Sequence, residues 1–188
     1  APDGNFMCEI AVPNKEISFV YNREVLAKLR DIIPQSTSVY IQEALYTGNV
    51  AQLQEKLQKL LMQSVSYYDT MGENFYHSLT LGLCAVMDSS YRVMSNREVG
   101  DGRCDICMQP KKNDLPGIIL EFKAARNVSE DDLKKLSRKA LKQIDDRHYD
   151  RVFSNEEVRS VLKYGIAFSW KNVEIAAESD FHGTTERI

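Results

Sequence analysis

Apolar positions recur along this chain with two different periods, and the change of period divides it. From Glu16 to Met62 they return every three or four residues, the spacing of helices that bury one side. Val20, Val25, Leu26, Leu29, Ile32 and Ile33 make a first stripe that stops before Pro34. Ser36 opens a second helix through Ile41 and Leu45 to Gly48, and Asn49 is placed to cap a third carrying Leu53, Leu57, Leu60 and Leu61. Ahead of these, residues 5–12 (NFMCEIAV) read as a short strand closed by Pro13-Asn14. Another helix is expected from about Thr70 to Met87. It is apolar on nearly every side from Leu79 onward and should be deeply buried.

Beyond that helix the period falls to two. Tyr91–Ser95 and Arg103–Met108 alternate as strands around Gly100-Asp101-Gly102, a hairpin signal. A polar loop, Pro110 to Pro116, leads to a third strand, Ile118–Ala124, with Ile118, Leu120 and Phe122 on its apolar face. Ser129 with Asp132 resembles a capping pair for a helix whose stripe is Leu133, Leu136, Ala140 and Ile144, with Gln143 at its border. Val161–Ser169, a turn at Trp170-Lys171-Asn172 and Val173–Ala177 give two more strands. Glu178–Ile188 is polar and without packing pattern, so it is expected to be mobile. The resulting division is a helical annex over residues 1–66, an α/β unit over 67–178 and a tail over 179–188.

Composition narrows the picture. The chain has 188 residues, 43% hydrophobic and 27% charged, enough to bury the core of one domain with an annex. No apolar run approaches the roughly 18 residues of a membrane span, so no membrane partner is expected. The start, Ala1-Pro2-Asp3-Gly4, has neither an initiator Met nor the parts of a signal peptide, and reads as a piece of a longer protein. A net charge of −3 argues against bulk nucleic-acid binding and leaves a local basic row, Lys134, Arg138 and Lys142, as the candidate. Cys104 and Cys107 form a CxxC, but strand positions i and i+3 face opposite ways and no second ligand pair follows, so zinc is not expected. With no disulfide framework indicated, a reducing cytoplasm is the expected location.

The candidate chemistry lies at Asp105, Glu121 and Lys123. Strand alternation puts Glu121 and Lys123 on one face, and a hairpin pairing lets Asp105 join them. Two carboxylates and an ammonium at one spot can hold a divalent cation and activate a water, and burying such groups is costly unless they are paired or metal-bound. Glu73 and His77 share a helix face four residues apart.

This order of elements, with Asp on the second strand and Glu-x-Lys on the third, resembles the PD-(D/E)XK nuclease superfamily. The resemblance sharpens at Glu73-Asn74-Phe75-Tyr76-His77 with Leu81-Gly82-Leu83, and at Ser95-Asn96-Arg97-Glu98 with Gly102-Arg103-Cys104-Asp105-Ile106. It continues at Ile119-Leu120-Glu121-Phe122-Lys123, Ala140-Leu141-Lys142-Gln143-Ile144 with Tyr149, and Lys163-Tyr164-Gly165-Ile166-Ala167-Phe168. The set is similar to the domain at the C-terminal end of bacterial proteins carrying an AAA-ATPase-like domain, and Val12-Pro13-Asn14-Lys15-Glu16 resembles the junction between the two parts. The resemblance implies a restriction-endonuclease-like α/β core, a mixed sheet flanked by helices, behind an N-terminal helical annex. It implies hydrolysis of nucleic acid, with DNA as the expected substrate and Mg²⁺ or Mn²⁺ as cofactor. Asp105, Glu121 and the Phe122 carbonyl would bind the metal, and Glu73 would orient a ligand or reach the metal through water. Lys123 would activate the attacking water, and Gln143 would hold the site or touch the substrate backbone. Arg103 and the row Lys134, Arg138 and Lys142 are candidate phosphate contacts, and His77 and Tyr149 candidate supports. Tyr149 stands six residues after Gln143, about 240° round a continuous helix, so it reaches the site only if the helix ends first. A non-catalytic module that keeps the nuclease fold for nucleic-acid or protein interaction is the other class these residues leave open.

Overall fold

A computed structural model describes residues 35–64, 73–85, 87, 89–112, 114–153, 158–181 and 184–187. The expected strand at 5–12, the helix over Val20–Ile33 and the 12–16 junction lie outside the described residues. Four helices are described: α1 (Gln35–Thr47), α2 (Val50–Ser64), α3 (Glu73–Ala85) and α4 (Glu130–Asp146). A six-stranded sheet runs in chain order through β1 (Tyr91–Val99), β2 (Gly102–Pro110), β3 (Gly117–Ala124), β4 (Ser160–Ser169), β5 (Asn172–Phe181) and β6 (Thr184–Arg187). Only β3 and β4 run parallel, because α4 lies between them in the chain and a parallel pair needs such a crossover. The mixed α/β architecture, with helices on both faces, is the one expected from the sequence.

The two faces of the sheet bury different groups. One carries Ile118, Leu120, Phe122, Tyr164, Ile166 and Phe168, packed in a single cluster with Leu45, Leu53, Leu57, Leu60, Tyr76 and Leu83 of the first three helices. Helices α1 and α2 therefore share the core of the α/β unit. The other face carries Cys104, Cys107 and Ile119 beneath Leu141, Ile144, Tyr149 and Phe153. Caps follow the local sequence: Asn49 Oδ1 accepts from the Gln52 amide at 3.1 Å, and Ser129 Oγ accepts from the Asp132 amide at 3.2 Å. Gln54 and Gln58 of α2 accept from the Ile175 and Val173 amides at 3.2 and 3.1 Å, so side chains satisfy part of the β5 edge.

Helix α4 sits directly on the β4 backbone. A Cβ on Gly165 would lie 2.2 Å from both Leu141 N and Ser137 O, so only glycine permits the approach. This contact sets the rotation of the helix. Ser137 and Leu141 are buried beside Leu133, Ala140 and Ile144, while Leu136, expected in the stripe, is only half-buried.

The expectation of a mobile tail over 179–188 is corrected. β5 continues to Phe181, and Thr184–Arg187 forms β6 against it. Backbone pairing needs no apolar side chains, which is why the polar sequence gave no signal. Asp180 also joins Asp145 in pairing the buried Lys163: its Nζ contacts Asp145 Oδ1 at 2.6 Å and Asp180 Oδ2. Burial pushes the Lys163 ammonium down, but the two carboxylates more than offset this and hold its pKa above the ordinary value.

Candidate active site

The C-terminal half of β3 turns its alternate residues toward α4. Glu121 is 2% exposed, and its Oε1 takes the Lys123 ammonium at 3.0 Å. The same ammonium donates to the Phe122 carbonyl at 3.0 Å. Gln143 Nε2 donates a short hydrogen bond to Glu121 Oε1 from the border of the buried face of α4. A buried carboxylate is tolerated when charged and polar donors of this kind surround it. The Lys123 side chain, 23% exposed, is more accessible than Glu121 and forms the open side of the cluster.

Asp105 reaches this cluster because the pleat slips. Cys107 faces the α4 side and Ile106 and Met108 the other, as alternation requires, but Cys104 also faces the α4 side. On β1, Val93 faces the first core and Met94 and Val99 the second, so the same slip occurs there. Asn96 and Asp105 fall between the pairs Ser95↔Ile106 and Arg97↔Cys104, and Asn96 takes the left-handed backbone with φ 51°. The ladder between β2 and β3 reaches Ile106↔Leu120 just before Asp105 and Glu121. From there Asp105 leans onto β3, and its Oδ2 accepts from the Phe122 amide at 2.9 Å. Its carbonyl lies 3.1 Å from His77 Nε2, which is also 3.1 Å from Ser95 Oγ. The His77 ring stands edge-on to Phe122, with centroids 5.9 Å apart.

Tyr149 joins the site because the helix ends before it. Arg147 caps α4, His148 takes φ 53°, and Tyr149–Phe153 forms a 3₁₀ turn. The Tyr149 hydroxyl donates to the Arg103 carbonyl at 2.9 Å and accepts from Gln143 Nε2 at 3.4 Å. One chain of hydrogen bonds thus links Glu121, Gln143, Tyr149 and β2. The Gly-Asp-Gly turn has a second use that its reading as a hairpin signal missed. Gly100, at φ 56°, lies where a Cβ would meet Arg147 O at 2.1 Å, and the Asp101 amide donates to that oxygen at 2.9 Å. The tip of the hairpin is therefore seated on the end of α4. Two glycines flanking one residue were the available signal for such a close approach.

The side chains expected to contact phosphate lie apart from this cluster. Arg103 contributes its carbonyl, while its side chain is exposed. Lys134, Arg138 and Lys142 line a groove of about 620 Å³ between α4 and β5, opposite Glu174 and Glu178. Arg138 and Lys134 lie about 140° and 180° round the helix from Gln143, which turns them away from Glu121. Lys134 and Lys142 are also paired within the helix, with Glu130 and Asp146. Lys139, beside that row in the sequence, lies about 40° round α4 from Gln143 and is exposed. Glu73 begins α3, and its side chain lies outside the described residues.

The cysteine pair corrects a second expectation. Cys104 and Cys107 were placed on opposite faces by strict alternation, but the slip at Asp105 brings them to the same face, joined as a disulfide. Among the described residues no group of three His, Cys, Asp or Glu side chains is arranged to hold a metal ion, and no helix is long and apolar enough to cross a membrane.

The oxygens of Glu121 and Phe122 converge on one cationic nitrogen, and the Asp105 carboxylate is bonded to the amide between them. No curated protein matches this chain. The sequence model of the PD-(D/E)XK nuclease superfamily matches residues 71–178, from the approach to α3 into β5. That span is more than half of the chain and contains every residue of the cluster, so this chain belongs to the PD-(D/E)XK nuclease superfamily.

Proposed function

We propose that this chain is a metal-dependent nuclease that hydrolyses phosphodiester bonds, with DNA as its substrate. The observation that carries the reading is the Lys123 ammonium held 3.0 Å from both Glu121 Oε1 and the Phe122 carbonyl. A cation already sits where two hard oxygen donors meet, and Asp105 stands beside them through the Phe122 amide. Carboxylate and carbonyl oxygens are the donor set that suits Mg²⁺ or Mn²⁺. Asp105, Glu121 and the Phe122 carbonyl would hold the ion, with Glu73 reaching it through water. The bound ion would supply an acidified water and neutralise charge on the phosphate.

The side chains divide the remaining work. Gln143 fixes the Glu121 carboxylate, and Tyr149 fixes Gln143. Lys123, on the accessible side, holds the attacking water and donates to a phosphate oxygen as negative charge grows there. Arg103 and Lys139 are exposed nearby cations suited to backbone phosphates. Residues 1–66 act as the junction to an AAA-ATPase-like domain of a longer bacterial protein, with α1 and α2 packed on the nuclease unit.

The test is cleavage of single- and double-stranded DNA and RNA with Mg²⁺ or Mn²⁺. DNA cleavage that needs the ion and is lost in Glu121→Ala and Lys123→Ala is the expected result. Undiminished rates in both variants would sink the assignment. Mn²⁺ binding that depends on Asp105, without cleavage of any substrate, would leave the non-catalytic module as the correct class.

A further inference from the structure

The pleat slip that frees Asp105 also frees its backbone. In a regular ladder the Asp105 carbonyl would face a strand neighbour, but this residue falls between paired positions on the β1 side and beyond the last pair on the β3 side. The oxygen is met by a helix side chain instead, His77 Nε2 at 3.1 Å. A carbonyl only accepts, so the bond requires the imidazole hydrogen on Nε2. Ser95 Oγ, also 3.1 Å from that nitrogen, is the second acceptor of the same hydrogen. Ser95 is the last paired residue of β1 before the slip, across from Ile106. One N–H thus ties the strand before the slip on β1 to the slipped residue on β2, and the ring wedges edge-on against Phe122.

From this geometry we infer that His77 is a positioning residue, which acts through the Asp105 backbone to aim the Asp105 carboxylate at the Phe122 amide. Its contacts are with the Asp105 carbonyl, Ser95 and the Phe122 ring, and it need not meet substrate. The inference rests on the proposed function only for its catalytic consequence, because the hydrogen bond from the Phe122 amide to Asp105 Oδ2 is a contact between two residues of this chain. Removing the His77 donor leaves the carbonyl unpaired in a half-buried place and lets the slipped residue rotate.

Hydrogen exchange of the metal-free protein, read at single amides by NMR, tests this directly. In His77→Leu, which keeps apolar bulk beside Phe122, exchange at the Phe122 amide should rise about tenfold, the factor for losing one ordinary hydrogen bond's worth of order. The amides of Leu120 and Ile166 should stay near their wild-type rates. His77→Gln, whose side-chain N–H can reach the same carbonyl, should restore most of the Phe122 protection. Unchanged Phe122 exchange in His77→Leu would overturn the inference. So would an equal rise along all of β3, or a failure of glutamine to rescue while leucine and glutamine variants are both folded. Mn²⁺ titration and cleavage kinetics then separate this result from the functional reading. Weakened ion binding and a lowered kcat at unchanged KM for DNA in His77→Leu extend the inference to catalysis. A wild-type protein that cuts nothing, yet shows the selective Phe122 response, defeats the nuclease reading and leaves the positioning role standing.

Discussion

The Tyr149 hydroxyl donates to the Arg103 carbonyl at 2.9 Å, and this single bond joins the strand that carries Asp105 to the turn that follows Gln143. Tyr149 is 1% exposed, so its hydroxyl must find its partners inside the protein. Tyr149→Phe removes a donor to Arg103 and an acceptor from Gln143 while keeping the ring. We expect a loss of about 1–3 kcal/mol, the cost of leaving buried polar groups unmet. Urea denaturation should give a lower midpoint with an unchanged slope. Cleavage should fall with it, because Gln143 then holds Glu121 less firmly.

Gly165 should be the least replaceable residue of β4. A methyl group there would meet the Leu141 amide nitrogen and the Ser137 carbonyl at 2.2 Å, and both are helix backbone that cannot swing aside. Gly165→Ala should cost about 3 kcal/mol or more by forcing α4 off the sheet. Because Gln143 rides on α4, thermal melting and the Gln143–Glu121 contact should both suffer. An Ala variant that melts at the wild-type temperature would contradict the close packing.

The order of helices and strands was legible because periodicity and turn residues agreed at each step. Gly100-Asp101-Gly102 marked the hairpin, and Ile118, Leu120 and Phe122 marked the buried face that sends Glu121 and Lys123 to the other side. What could not be read follows from rules that assume uniform geometry. Alternation counted straight through Asp105 misplaces Cys104, because the pleat slips by one residue there. A stripe drawn through Leu136 misses the phase of α4, which is set by the approach of Ser137 and Leu141 to Gly165. That phase decides that Lys134 and Arg138 border β5 rather than Glu121. The β6 strand left no trace in hydropathy, since Thr184–Arg187 is held by backbone pairing.

Cys84 lies in α3 with 0% exposure, and burial pushes its thiol from an ordinary 9.0 up to about 12. The folded protein therefore keeps the proton at pH values where the unfolded chain releases it. Stability from this group is present below the unfolded pKa near 9.0 and falls as pH rises toward about 12. The slope is at most about 1.4 kcal/mol per pH unit. Cys84→Ala should lower stability at pH 7 through the lost packing, yet flatten its decline above pH 9. Parallel stability curves for the two proteins from pH 8 to 11 would contradict this.

Lys123 occupies ground that a metal ion would need. Its ammonium donates to Glu121 Oε1 and to the Phe122 carbonyl, both at 3.0 Å, so an ion bound by those oxygens must displace it or share them against like-charge repulsion. Two effects of Lys123→Ala should consequently run in opposite directions. Mn²⁺ affinity, measured by calorimetry, should rise or hold, because a competing cation has gone. The turnover of DNA should fall by about 10²–10³, the scale for losing one donor to charge that develops during reaction. Glu121→Ala should lose both together, since it removes the oxygen that ion and ammonium contest. Weaker Mn²⁺ binding in Lys123→Ala would mean that the ammonium organises the oxygens rather than competing for them.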